Sequence, residues 1–237
     1  MSTFSIIFAG FGGQGTQSMG KILAYAAMLE GKEVSWCPSY GPEMRGGTSN
    51  VHVIISDEGI GSPVITKDAT CVVALNKPSL DKFAHTVADG GALVINADLA
   101  ELEEGQAKAG TRVFNIPANK IAVEAFGGSK LANLVMLGAV VYATSPIKVE
   151  SIDDAFTHVF EGGKAKFIPD NKKAFELGYN CAKELDKYST QELIFDPIRV
   201  FVWGFLYIYI WKEKCFFSRD YVKKSISYRK HLWYTYN

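Results

Sequence analysis

Short apolar runs and longer, helically spaced apolar stretches alternate along this chain. Phe4-Ser5-Ile6-Ile7-Phe8-Ala9 is almost continuously apolar and ends in glycine, and the stretch after the glycines is apolar-periodic as far as Leu29. The first reads as a strand buried on both faces and the second as a helix. Gly31 supplies a stop, because glycine takes the left-handed cap conformation without a Cβ clash. Glu33-Val34-Ser35-Trp36 reads as a second strand and Val51 to Ile55 as a third. After the turn Ser56-Asp57-Glu58-Gly59, the stretch Ile60 to Ile65 is expected to be the return arm of a hairpin. Cys71 to Leu75 and Gly91 to Asn96 are near-continuous apolar runs of the kind central parallel strands carry, and Thr111 to Pro117 is a further strand.

Helical patterns fill the gaps. A short helix follows Asn76 and runs through Ala84, and Glu101 to Gly110 is a polar surface connection. Ala118 to Ala125 is helical and is broken by Gly127-Gly128. Lys130 to Ala143 is apolar over most of its circumference, the mark of a buried helix, and its 14 residues are too few to cross a bilayer. Ser151 to Phe160 is amphipathic, and Asn171 to Tyr188, capped near Asp170, is another such helix. The alternation implies an α/β fold: a layered sandwich with a largely parallel sheet flanked by helices and a Rossmann-like N-terminal unit.

Composition changes the picture at one end. The 237 residues suffice for one large domain, or a domain plus an appendage, and 48% hydrophobic with 21% charged residues is globular. A formal net charge of zero gives no support for nucleic-acid binding. That neutrality hides a division. From Ile194 on, the chain holds 14 of its 30 aromatic residues and eight Lys or Arg against three Asp or Glu. The expected organisation is a domain over 1–193 and an atypical aromatic and basic tail over 194–237. Arg199 to Trp211 is a large-apolar run interrupted by Gly204, too short for a confident span. Two readings of the tail stand: an interfacial membrane anchor, or a segment foreign to the domain, which the compositional break favours. The four cysteines, Cys37, Cys71, Cys181 and Cys215, are dispersed, so no metal or iron–sulfur site is expected from this chain alone. They suit a reducing cytoplasm, and the N-terminus has no signal-peptide pattern.

The candidate chemistry sits in two motifs. Gly10-Phe11-Gly12-Gly13-Gln14-Gly15 lies between a strand and a helix and satisfies the Gly-x-Gly-x-x-Gly pattern. Glycines let the backbone turn sharply, and the free amides of the following helix favour an anion. The same turn also serves as a tight connection with no ligand. A nicotinamide-binding protein places an acid at the end of its second strand, about 20 residues past the glycines. Here that strand runs into Trp36-Cys37-Pro38, and Glu33 stands at its start. The second motif, Pro38 to Ser49, is rich in glycine and proline and reads as a loop. It carries Tyr40, Glu43, Met44, Arg45, Gly46, Gly47 and Thr48, with the bulky Met44 between an acid and a base. Asn76, just past a strand end, is read either as a helix cap or as a ligand contact. His52, inside a strand, is read as a packed or edge histidine.

Both motifs resemble those of the gamma subunit, or gamma domain, of 2-oxoacid:ferredoxin oxidoreductases. The resemblance rests on Gly12-Gly13-Gln14-Gly15, on Ser39 to Thr48 and on the spacing between them, and it covers Thr3 to Leu185. It implies a complex that oxidatively decarboxylates a 2-oxoacid, passing the acyl group to coenzyme A and two electrons to ferredoxin. Thiamine diphosphate then sits between alpha and beta subunits, and the iron–sulfur clusters belong to beta and a delta-type chain. This chain is expected to have no catalytic residue of its own. Gly10, Gly12, Gly13, Gln14 and Gly15, with Tyr40, Glu43, Met44, Arg45, Gly46, Gly47 and Thr48, are expected to lie at a partner interface or near coenzyme A. Arg45 is the candidate partner for a phosphate or carboxylate, Glu43 for a partner Arg or for Arg45, and Tyr40 and Met44 are packing anchors. The substrate acid is open, with 2-oxoglutarate favoured. The alternatives are a stand-alone nucleotide-binding protein and a membrane-associated protein anchored by its tail.

Overall fold

The computed structural model describes residues 2–40, 47–160 and 162–191. Its elements, in order, are β1 (Thr3–Phe11), α1 (Thr16–Leu29), β2 (Glu33–Tyr40), β3 (Thr48–Ser56), β4 (Ala69–Ala74), α2 (Lys77–Phe83), β5 (Val87–Asn96), β6 (Arg112–Ile116), α3 (Ala118–Phe126), α4 (Ala132–Thr144), α5 (Glu150–Val159) and α6 (Ile168–Gln191). One compact unit takes Met1–Asp186, and Lys187–Asn237 forms a second. The aromatic and basic tail lies outside the described residues.

The six strands form one sheet in the order β2-β3-β1-β4-β5-β6. β1, β4 and β5 pair in parallel with their neighbours on the β6 side, while β3 runs antiparallel to both β1 and β2. The α/β sandwich with a largely parallel sheet is therefore present. Its N-terminal β1–α1–β2 unit has a strand inserted in it, because β3 separates β2 from β1. Alternate side chains divide between two cores, as the period of a strand requires. Ile6, Phe8, Val53, Val73 and Val94 face α1, α3, α4, α5 and α6. Ile7, Ala9, Ile54, Val72 and Leu93 face a thinner cover of α2 and irregular chain. β1 and β3 to β5 are buried on both faces, which explains their nearly continuous apolar sequences.

Two sequence expectations about this region are corrected. Pro38, Ser39 and Tyr40 are not loop: β2 continues through them, paired with Val51, Asn50 and Ser49. Proline is tolerated there because β2 is an edge strand. Ile60 to Ile65 is not a hairpin arm. β3 already has β1 on one side and β2 on the other, so no free ladder remains for a third partner. The segment instead lies over the thin face, with Ile65 buried in that core. It is held by the Ile65 N–H, which donates to His52 Nδ1 at 2.9 Å. α6 also begins earlier than expected, at Ile168.

α4 is apolar all round because it is enclosed by the sheet and by other helices. At its crossing with α6 the two backbones touch. A Cβ on Gly138 would fall on the Phe175 carbonyl oxygen, and one on Gly178 would fall on the Val135 carbonyl oxygen. The end of α1 is pinned to the start of α5 by polar groups. Glu30 Oε1 accepts from Lys148 N and from Ser151 Oγ, each at 2.6 Å, and Lys32 Nζ donates to the Pro146 carbonyl at 2.8 Å.

Two outcomes are expected. Gly178→Ala forces α4 and α6 apart and lowers the unfolding free energy by about 2–3 kcal/mol, read by denaturant titration. Burial holds the His52 imidazole below its ordinary value of 6.5. The unfolded chain therefore binds the extra proton first, and stability falls as pH drops below about 6.5. His52→Gln, which keeps an acceptor for the Ile65 N–H but does not titrate, flattens that slope in pH-dependent melting.

Candidate functional site

β1 ends at the glycine turn, and the turn delivers the chain into α1. Gly13 and Gly15 have φ of +95° and +84°, a left-handed backbone that glycine adopts without strain. Gly15 is the N-cap of α1 and offers no side chain to the helix amides. Gln14 N donates to the Phe11 carbonyl at 3.1 Å, closing the turn. Among the described residues, no acceptor meets the amides of Gly13, Gly15, Thr16, Gln17 or Ser18. Open amides on the first turn of a helix are the requirement for holding an anion.

The sheet brings the second motif to this turn. β1 and β3 pair with Gly10 opposite Ser49 and Phe11 opposite Thr48. One step further, Gly12 N donates to the Gly47 carbonyl at 2.9 Å. Below this bond, Thr16 Oγ1 and Ser49 Oγ share a buried hydrogen bond of 2.9 Å. The two motifs, about 30 residues apart in sequence, thus form one structural unit at the carboxyl end of β1. Gly10, Gly12, Gly13, Gln14, Gly15, Gly47 and Thr48 are brought together. Tyr40 ends β2, where its backbone pairs with Ser49. Glu43, Met44, Arg45 and Gly46 lie outside the described residues.

Sequence reasoning gave no role to three residues here. Thr16 and Ser49 carry the buried hydroxyl pair, and small hydroxyl residues give no period or motif to mark them. Asn133, in the first turn of α4, packs on Gly15: a Cβ added there would stand 2.5 Å from Asn133 Nδ2. The start of α4 therefore lies beside the start of α1. An asparagine at the head of the otherwise apolar Lys130 to Ala143 run was the available signal. Asn76 takes the cap role, with Oδ1 accepting from Ser79 N at 2.9 Å, while its Nδ2 donates to Gln14 Oε1 at 2.8 Å.

The remaining chemistry is restrictive. Among the described residues, no group of three His, Cys, Asp or Glu could hold a metal ion. Cys71 is fully buried, and burial pushes its thiol up to about 12, which suppresses the thiolate needed for ligation or attack. A dinucleotide on the glycine turn would have its ribose acid on the strand beside β1, about 4.8 Å away. Here β2 is two strands away, with β3 between. No described helix is long and apolar enough to cross a membrane.

The hydroxyl pair supplies a test of the joined motifs. Thr16→Val and Ser49→Ala each lower the unfolding free energy by about 1–2 kcal/mol, because each leaves a buried hydroxyl unpaired or removes its partner. The double variant costs less than the sum of the two, as measured by a double-mutant cycle.

Comparison with known proteins identifies the family. Residues 5–181 match the family model described as pyruvate ferredoxin/flavodoxin oxidoreductase. The ketoisovalerate oxidoreductase subunit VorA of Methanothermobacter thermautotrophicus is 44% identical over 178 residues, which is 74% of this chain and 36% of VorA. The chain thus spans about a third of the length of this relative. The 2-oxoglutarate synthase subunit KorC of Methanocaldococcus jannaschii is 37% identical over 182 residues, covering 76% of this chain and 94% of KorC. The crystal structure of the keto/oxoacid ferredoxin oxidoreductase gamma subunit from Geobacter sulfurreducens superposes with a TM-score of 0.62 at 34% identity. That superposition covers 76% of this chain and 99% of the other. With the family model matched over most of its length, the chain belongs to the pyruvate ferredoxin/flavodoxin oxidoreductase family.

Proposed function

We propose that this chain is the gamma-type subunit of a 2-oxoacid:ferredoxin oxidoreductase and that it positions rather than performs the chemistry. The observation that carries the reading is the joining of the two motifs by the Gly12 N to Gly47 carbonyl bond, within a chain of this family. Thiamine diphosphate, held by alpha and beta subunits, supplies the decarboxylation chemistry, and iron–sulfur clusters in beta and delta-type chains carry electrons to ferredoxin.

This chain's own part is local. The open amides of Gly13 and of Gly15 to Ser18 and the positive end of α1 favour a phosphate of coenzyme A or a carboxylate on a partner chain. Arg45, between Tyr40 and Thr48 in the sequence, has the fork of donors that suits a phosphate or a carboxylate. Tyr40, Glu43 and Met44 contribute contacts to the partner chain. Coenzyme A leaves the complex as the acyl thioester. VorA and KorC name different acids, ketoisovalerate and 2-oxoglutarate, and in this reading 2-oxoglutarate is favoured and its side chain is met largely by residues of the partner chains. A cytoplasmic complex fits the four cysteines, which are dispersed along the sequence and form no Cys-x-x-Cys motif.

The test uses the reconstituted complex. Arg45→Ala leaves the chain folded and either weakens assembly or raises the KM for coenzyme A several-fold, with little change in kcat. Gly13→Val is harsher. Among the described residues nothing stands within 4 Å of a Cβ on Gly13, but its φ of +95° is one a branched residue resists, so the turn itself deforms. Unchanged assembly and unchanged kinetics for both variants remove the turn and the loop from the site.

A further inference from the structure

Open α/β sheets hold ligands outside the carboxyl ends of their strands, at the point where connections leave in opposite directions. In this sheet that point lies between β1 and β4. β1 leads into α1 on the thick face, and β4 leads into α2 on the thin face. The crevice between the two strand ends is occupied by the side chain of Gln14. Its Oε1 accepts from Phe11 N at 2.6 Å and from Asn76 Nδ2 at 2.8 Å, and its Nε2 donates to the Leu75 carbonyl at 3.4 Å. The neighbouring backbone is cut back to admit this amide. A Cβ on Gly10 would stand 2.9 Å from Gln14 Oε1 and 3.1 Å from Leu75. Asn76 passes the contact on, because its Oδ1 caps α2 through Ser79 N.

We propose that Gln14 is a positioning residue that fills the β1/β4 crevice, closing it to nucleotides and coupling the glycine turn to the cap of α2. The carboxamide oxygen sits between two donors, Phe11 N–H and Asn76 Nδ2, which a bound phosphate or ribose would otherwise use. A ligand of this chain is thereby confined to the outer amides of the turn. The first glycine of the motif serves the Gln14 amide and not the approach of a pyrophosphate. The inference rests on the hydrogen bonds of this chain and stands apart from the proposed enzyme reaction.

The full-length chain tests it by amide hydrogen exchange and NMR. In Gln14→Ala the Phe11 amide exchanges roughly tenfold faster and the Ser79 amide also exchanges faster, while the amides of β5 keep their protection. Gln14→Glu retains an acceptor oxygen and restores protection at Phe11. Millimolar ADP added to the wild-type chain leaves the Phe11 amide and Asn76 side-chain resonances in place. If Gln14→Ala fails to fold, Gln14→Met, which fills the crevice without an acceptor, gives the same readout. Unchanged Phe11 exchange in the Ala or Met variant overturns the proposal, and so does an ADP-induced shift of those resonances in the wild type.

Discussion

The pairing of β3 with β1 fixes everything that happens at the functional end of this molecule. Because β3 runs antiparallel between β1 and β2, the chain that returns from β2 re-enters the sheet beside the glycine turn. The register then sets Ser49 against Gly10, and through it Thr16 against Ser49 and Gly47 against Gly12. A slip of one residue would turn every β3 side chain to the other face and send Val51, Val53 and Ile55 out of the helix-covered core. The burial of these residues therefore holds the two motifs together. The energy is in the core and the consequence is at the edge.

The inserted strand also sets this sheet apart from a dinucleotide fold. A dinucleotide fold puts β2 next to β1 so that one ligand reaches both strand ends. Here that neighbour is β3, which carries Thr48 and Ser49 at the corresponding level, and the β1/β4 crevice holds the Gln14 amide. The glycine pattern persists while its surroundings differ from those of a dinucleotide site. Rigidity comes from the thick helical layer, where α4 lies against the sheet and α6 crosses it with backbones in contact at Gly138 and Gly178. The thin face is held more lightly, by α2 and by chain segments tied to His52 and to the Lys77 ion pairs with Asp81 and Glu103.

Much of this was legible in the sequence because burial on two faces and burial on one face leave different patterns. β1, β4 and β5 announced themselves as apolar runs, and the helix from Ala132 as a stretch apolar all round. Strand neighbours were not legible. Nothing in Ile60 to Ile65 says that both edges of β3 are already taken, and Pro38 reads equally as loop or as part of an edge strand, where proline is harmless. The motifs themselves were visible as glycines and as an unusual mixture of charge, phenol and hydroxyl. Thr16 and Ser49, which join them, and Asn133 beside Gly15 were not, since a hydroxyl or amide acquires its role only from what the fold sets opposite it. Gln14 was visible as a motif member, but its commitment to Leu75 and Asn76 depends on contacts more than 60 positions away.

The central claim is that this chain works inside an assembly whose other members hold the cofactors. Anaerobic affinity purification from the native host, with the co-purifying chains and bound cofactors identified, tests it most directly. The account predicts two or three partner chains carrying thiamine diphosphate and iron–sulfur clusters, and dye reduction that requires both a 2-oxoacid and coenzyme A. A chain recovered alone, or recovered in the membrane fraction without those cofactors, would contradict it.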